Sequence, residues 1–96
     1  MEINLTVIIK SKSEYGEVLK LILLDLVKNS KKEDACLQYD LHHNIQDPDV
    51  FILHEVWKDK EGLDLHREQV YSLKFNQIAE FYLEEIMTVY TTSRIG

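Results

Sequence analysis

Val50-Phe51-Ile52-Leu53-His54-Glu55-Val56-Trp57, then Lys58-Asp59-Lys60-Glu61-Gly62, then Leu63-Asp64-Leu65-His66, is the stretch that decides how the chain is read. Its first eight residues are β-branched, aromatic or otherwise apolar except His54 and Glu55, the composition of a strand. Both faces of that strand are apolar, with Phe51, Leu53 and Trp57 alternating against Val50, Ile52 and Val56. Asp59 reads as a helix N-cap, and Leu63 and His66 follow at helical spacing. A buried strand thus feeds a helix that carries a histidine, with Tyr71 and Phe75 soon after.

Upstream, Gln46-Asp47-Pro48-Asp49 has turn chemistry, and Ala35 to Ile45 reads as another strand. Alternation sets Leu37, Tyr39, Leu41, His43 and Ile45 on one side of it, with Cys36, Gln38, Asp40 and His42 on the other. Further back, Ile3, Leu5, Val7 and Ile9 form the apolar face of a strand over residues 2–10. Ser11-Lys12-Ser13-Glu14 spells a capping box. The helix after it places Tyr15, Val18, Leu19, Ile22 and Leu26 on one stripe, and Lys28, Lys31 and Lys32 suit its negative pole. Downstream, the second helix is predicted to start near Lys60, to kink or restart around Val70–Ser72 and to run to about Glu80. Glu84 to Thr92 reads as a fourth strand.

The order is β-α-β-β-α-β. Right-handed crossovers give an α+β, ferredoxin-like layout, a four-stranded antiparallel sheet with both helices on one face. Two helices cover one face only, yet the third strand is apolar on both. A second copy, sheet against sheet, is the simplest cover, so a homodimer is expected.

Ninety-six residues suit a single domain, 1–96, with one core. A net charge of −6 argues against nucleic acid or an anionic membrane as partner. Cys36 is the only cysteine, so no intrachain disulfide is expected. A leading basic and apolar segment is not seen, and the apolar cluster from Leu21 to Val27 is too short to span a bilayer, so the expected compartment is the cytoplasm. His42 and His43 are adjacent on a strand and point to opposite faces, and no metal site is expected.

Three pieces now stand together: Cys36-Leu-Gln-Tyr39-Asp-Leu, Phe51-Ile-Leu-His-Glu55-Val-Trp57 and Leu63-Asp-Leu-His66. With that element order they resemble the antibiotic biosynthesis monooxygenase (ABM) family of dimeric α+β barrels, in its quinol-monooxygenase-like branch. The most specific parts are the Glu-x-Trp closing strand 3 and a His nine residues past that Trp. The resemblance implies a sheet-to-sheet dimer and a pocket between sheet and helices. It also implies oxidation of a quinol-like or polyphenolic small molecule by O2 without cofactor or metal. Relatives in the family degrade haem or isomerise small phosphorylated ketones.

The chain departs from the family's patterns in places. Leu53 and Leu63 stand where anthrone-oxidising members carry Asn and Tyr, and Tyr71 stands where many members carry a second His. Haem-degrading members hold a Trp at the place of His66 and a ligand His close to Asn76, which this chain lacks. Asn4 matches the polar strand-1 position of those haem-degrading members and is expected to bind substrate.

His66 is the candidate general base, because an imidazole, with a reference pKa of about 6.5, takes a proton from a phenol near neutral pH. An ionised, electron-rich ring can itself reduce oxygen, which leaves the protein to supply a base, an apolar pocket and orientation. Trp57 is a stacking wall or a core aromatic. Glu55 either orients a pocket group or serves the dimer interface, and His54 points the other way. Tyr71 offers a hydroxyl to an oxyanion, and Phe75, four residues on, shares its helix face. The expected catalytic residues are His66, Trp57 and Tyr71, and the expected substrate contacts are Asn4, Glu55 and Phe75. Isomerase or tautomerase chemistry on the same pocket, and a non-catalytic ligand-binding stress-response module, stand as alternatives.

Overall fold

Alternation in the strands becomes burial on one side of a sheet. In the computed structural model, which describes residues 1–96, Leu5, Val7 and Ile9 are buried beside Phe51, Leu53, Glu55 and Trp57. The antiparallel ladder pairs Val7 with Leu53 and Ile9 with Phe51. The strands are β1 (Ile3–Lys10), β2 (Cys36–Asn44), β3 (Asp47–Trp57) and β4 (Thr88–Thr92). They form one sheet in the order β2-β3-β1-β4, all pairs antiparallel. The helices are α1 (Gly16–Ser30), α2 (Lys60–Arg67) and α3 (Val70–Tyr82). This is the ferredoxin-like α+β fold. Leu19, Leu23 and Leu26 of α1, Leu63 of α2 and Phe75 and Ala79 of α3 join the strand residues in one core. No helix is long and apolar enough to cross a membrane.

Several local expectations are corrected. The capping box does not form. Ser11 is buried at the end of the sheet, where its N–H donates to the Asp49 carbonyl, its hydroxyl donates to the Lys12 carbonyl, and its backbone bridges to Leu83. A 3-10 turn at Ser13–Tyr15 leads into α1 instead, with no side-chain cap. On α1 the buried row is Leu19, Leu23, Leu26 and Ser30, and Val18 is exposed because it lies one residue off that row.

In β2 the register slips between Cys36 and Gln38. The extra residue, Leu37, bulges into solvent, while Cys36 pairs with Trp57 and packs against the core. Leu37 and Cys36 thus exchange the sides that simple alternation assigns them. The turn before β3 is tighter than predicted: Asn44 pairs with Asp47, and the Asn44 Oδ1 accepts from the Gln46 N–H at 2.9 Å. Pro48 falls inside β3, at a second register slip where no ladder N–H is needed from it.

Asp59 does cap α2, its carboxylate accepting from the Gly62 N–H at 2.8 Å. The second helical region restarts as foreseen, as two helices separated by Glu68 and Gln69. β4 begins at Thr88 rather than Glu84, and every residue of it is exposed. The sheet face away from the helices carries Ile8, Val50, Ile52, His54 and Val56, all part-buried. On that face the His42 and His54 rings meet edge to face, 5.1 Å apart.

Candidate functional site

α2 carries its apolar positions and His66 on one face, so capping by Asp59 aims the imidazole down onto β3. The ring lies over the fully buried Trp57 indole, with centroids 4.4 Å apart and planes tilted by 34°. Tyr39 of β2 closes the other side, its ring 5.7 Å away. His66 Nδ1 stands 2.7 Å from Oε2 of Glu33, a residue of the turn between α1 and β2. The Tyr71 hydroxyl donates to that same oxygen and reaches the Asn29 carbonyl at 3.4 Å.

A carboxylate only accepts. Glu33 therefore takes an N–H bond from Nδ1, which in the neutral ring leaves the Nε2 lone pair for other work. The Tyr71 phenol is pushed well above the usual tyrosine range by burial and by its bond to Glu33, so it stays a donor.

A cavity of about 140 Å³ lies between the helices and the sheet. Its wall combines Leu53, Phe75 and Met87 with Glu55, His66 and Arg67. Burial pushes the Glu55 carboxyl up, opposed by the Trp57 indole, which donates to Glu55 Oε1 at 2.9 Å. An acid held toward its neutral form and a histidine base thus share one small, largely apolar space. The pairing resembles those in which environment alone separates acid from base.

Of the expected residues, His66, Glu55 and Phe75 line the cavity. Trp57 and Tyr71 sit behind His66, one as a stacking floor and the other as a brace for Glu33, rather than on the wall. Asn4 is not at the site. It pairs with Val56 and Thr92 on the opposite sheet face, and its neighbour Leu5 lines the cavity instead. The interface reading of Glu55 also falls within the single chain, because its side chain faces the helices.

Sequence reasoning missed Glu33, Arg67 and Ser72. Glu33 lies in a turn, where no periodicity marks a side chain's direction. Arg67 sits beside His66 at the end of α2, and Ser72 faces the core only because the helix restarts after Gln69. Cys36 is a half-buried thiol pushed up to about 11 by burial and the nearby Glu33 and Glu55 carboxyls.

Residues 5–77, which include every cavity and brace residue named except Met87, match the sequence profile of the family described as antibiotic biosynthesis monooxygenase. The chain belongs to that family. Over 60 residues this ABM chain is 33% identical to a Bacillus subtilis (strain 168) protein named "Putative monooxygenase YcnE", a match covering 62% of this chain and 63% of that protein. The matched stretch is thus less than two thirds of that relative's length. Among solved structures, PA3566 from Pseudomonas aeruginosa superposes with a TM-score of 0.93 at 29% identity, over 99% of this chain and 95% of that one. Rv0793 from Mycobacterium tuberculosis gives 0.94 at 18% identity over 100% and 97% of the two chains, a likeness of fold alone.

Proposed function

We propose that this ABM domain is a cofactor-independent monooxygenase of the cytoplasm that oxidises a quinol-like or polyphenolic small molecule with O2. The observation that carries the reading is His66 on the cavity wall with Nδ1 held by Glu33 at 2.7 Å. A base fixed in one tautomer beside an apolar hollow is what removal of a phenolic proton requires. His66 takes that proton and the resulting phenolate gives one electron to O2. The phenoxyl radical and superoxide then combine to form a carbon–oxygen bond. His66 returns its proton to the peroxide, and loss of water leaves one oxygen atom as a new carbonyl. Trp57 holds the imidazole from beneath, and Phe75 supplies a ring wall. No step draws on a group beyond protein, substrate and O2.

The volume favours a substrate of one ring. A cavity of about 150 Å³ lined by apolar side chains holds benzene, and this one is about 140 Å³. The open sheet face supports a homodimer formed sheet to sheet, since Ile8, Ile52 and Val56 have no cover from the chain's own helices.

Turnover of hydroquinone under 18O2, in the presence of a chelator, tests the reading by mass spectrometry of the product. One labelled oxygen per product molecule is the expected result, and consumption of substrate without label overturns it. Glu55 facing His66 across the same space favours tautomerisation as the second reading, and that chemistry would proceed under argon.

A further inference from the structure

Arg67 is the one lysine or arginine on the cavity wall, out of 11 in the chain. The molecule around it is acidic, with a net charge of −6. The ion-pair partner of Arg67 is Asp64, 4.0 Å away, where both side chains are about half exposed. Such a contact leaves most of the five guanidinium donors unused. Glu55 shares the wall but forms no ion pair with Arg67; its hydrogen-bond partner is the Trp57 indole.

Ser72 gives a second, independent sign. It lines the same cavity, is 7% exposed, and its Oγ has no hydrogen-bond partner. Buried hydroxyls are almost always paired, so the Ser72 hydroxyl beside the cavity still has a bond to give.

We propose that Arg67 and Ser72 anchor a carboxylate on the substrate ring, so that the pocket takes a single-ring phenol or quinol bearing that group. The planar guanidinium suits a carboxylate, with two parallel N–H bonds, and the serine hydroxyl adds a third. Arg67, at 55% side-chain exposure, belongs to the mouth, so the charge stays near solvent while the ring fills the apolar interior beside Phe75. The inference rests on the oxidative reading for the hydroxyl end of the substrate. Anchoring itself needs no turnover.

Trp57 is the only tryptophan, and its indole bonds to Glu55 on the wall. Its fluorescence therefore reports occupancy, with calorimetry as the second measure. The protein is titrated under argon with phenol, 3-hydroxybenzoate, 4-hydroxybenzoate and phenyl phosphate. At least one hydroxybenzoate is expected to bind about tenfold more tightly than phenol, the low end for a charged hydrogen bond. Arg67→Gln should erase that preference and Arg67→Lys should keep part of it. Ser72→Ala should weaken hydroxybenzoate several-fold without lowering the urea midpoint, because the hydroxyl it removes has no partner in the free protein.

Equal binding of phenol and both hydroxybenzoates overturns the proposal. So does no binding of either hydroxybenzoate, or a preference that survives Arg67→Gln. Tighter binding of phenyl phosphate than of either hydroxybenzoate overturns the carboxylate assignment. If the carboxylate preference holds while 18O fails to appear in product, the anchor stands and the oxidative reading falls. Labelled product from hydroquinone with no carboxylate preference means the reverse.

Discussion

One carboxylate in a turn does two jobs at this site. Glu33 receives both the His66 ring and the Tyr71 hydroxyl, so it sets the tautomer of the base and ties α3 to the turn after α1. Glu33→Gln should lower kcat for hydroquinone oxidation by at least about tenfold, by analogy with other groups that orient a histidine. KM should move much less, since Glu33 does not line the cavity; a steady-state comparison with wild type checks the split. Glu55 has a signature in stability. Burial raises its folded pKa above the ordinary 4.5, so the stability it contributes is complete below that value. It is lost as pH rises through the folded pKa. Wild type should therefore lose urea resistance relative to Glu55→Gln as pH rises above the ordinary 4.5, and parallel curves would contradict the buried-acid assignment. Cys36, with its thiol pushed up to about 11, should react with iodoacetamide far more slowly than a free thiol at neutral pH. At this scale the sequence shows His66, Glu55 and Phe75, because a capped helix, a regular strand and the helical spacing of α3 fix their directions. It hides Glu33, whose direction comes from a turn; for Asn4 the family position points to the site, while alternation with the cavity-lining Leu5 puts it on the other face.

α2 is the element on which the site depends. Eight residues make a short helix with little stability of its own, so the cap and the packing underneath must hold it. Asp59→Ala removes the bond to the Gly62 N–H and should cost about 1 kcal/mol, seen as a fall in Tm of about 4–8 °C. Gly62→Ala should destabilise as well, despite alanine's better helix propensity, because a Cβ there collides with that of Ala35. A Tm at or above wild type for Gly62→Ala would show that the helix has room to shift off the α1–β2 turn. The apolar alternation of β1 and β3 and the Asp59 cap are readable without coordinates. The bulge at Leu37 is not, since one inserted residue changes the face of everything before it while leaving composition untouched. The start of β4 is better marked by composition: Glu84 and Glu85 are poor strand formers, whereas Thr88 to Thr92 are β-branched or aromatic throughout and are the residues that pair with β1.

For the whole molecule, the sheet divides the labour. One face and the helices enclose the cavity; the other leaves Ile8, Val50, Ile52 and Val56 part-buried among polar cross-strand neighbours such as Thr88, Lys10, His42 and Gln38, with no helix over them. A lysine at Ile52 points a charge into the centre of that face. It should turn a homodimer into monomer in sedimentation velocity while far-ultraviolet circular dichroism stays unchanged, whereas a wild-type monomer would remove the sheet-to-sheet arrangement. That both faces of β3 are apolar is plain in Val50–Trp57, and from it follows the expectation of a cover for the second face; what fills the cavity does not follow, because volume and wall chemistry emerge only when three helices and four strands meet. The claim on which the rest stands is that the imidazole of α2 starts the chemistry. Oxygen-electrode traces with hydroquinone and chelator, wild type beside His66→Ala, address it most directly. Uptake by wild type that falls to the uncatalysed background in a folded His66→Ala protein is the predicted result, and a mutant that consumes oxygen at the wild-type rate contradicts it.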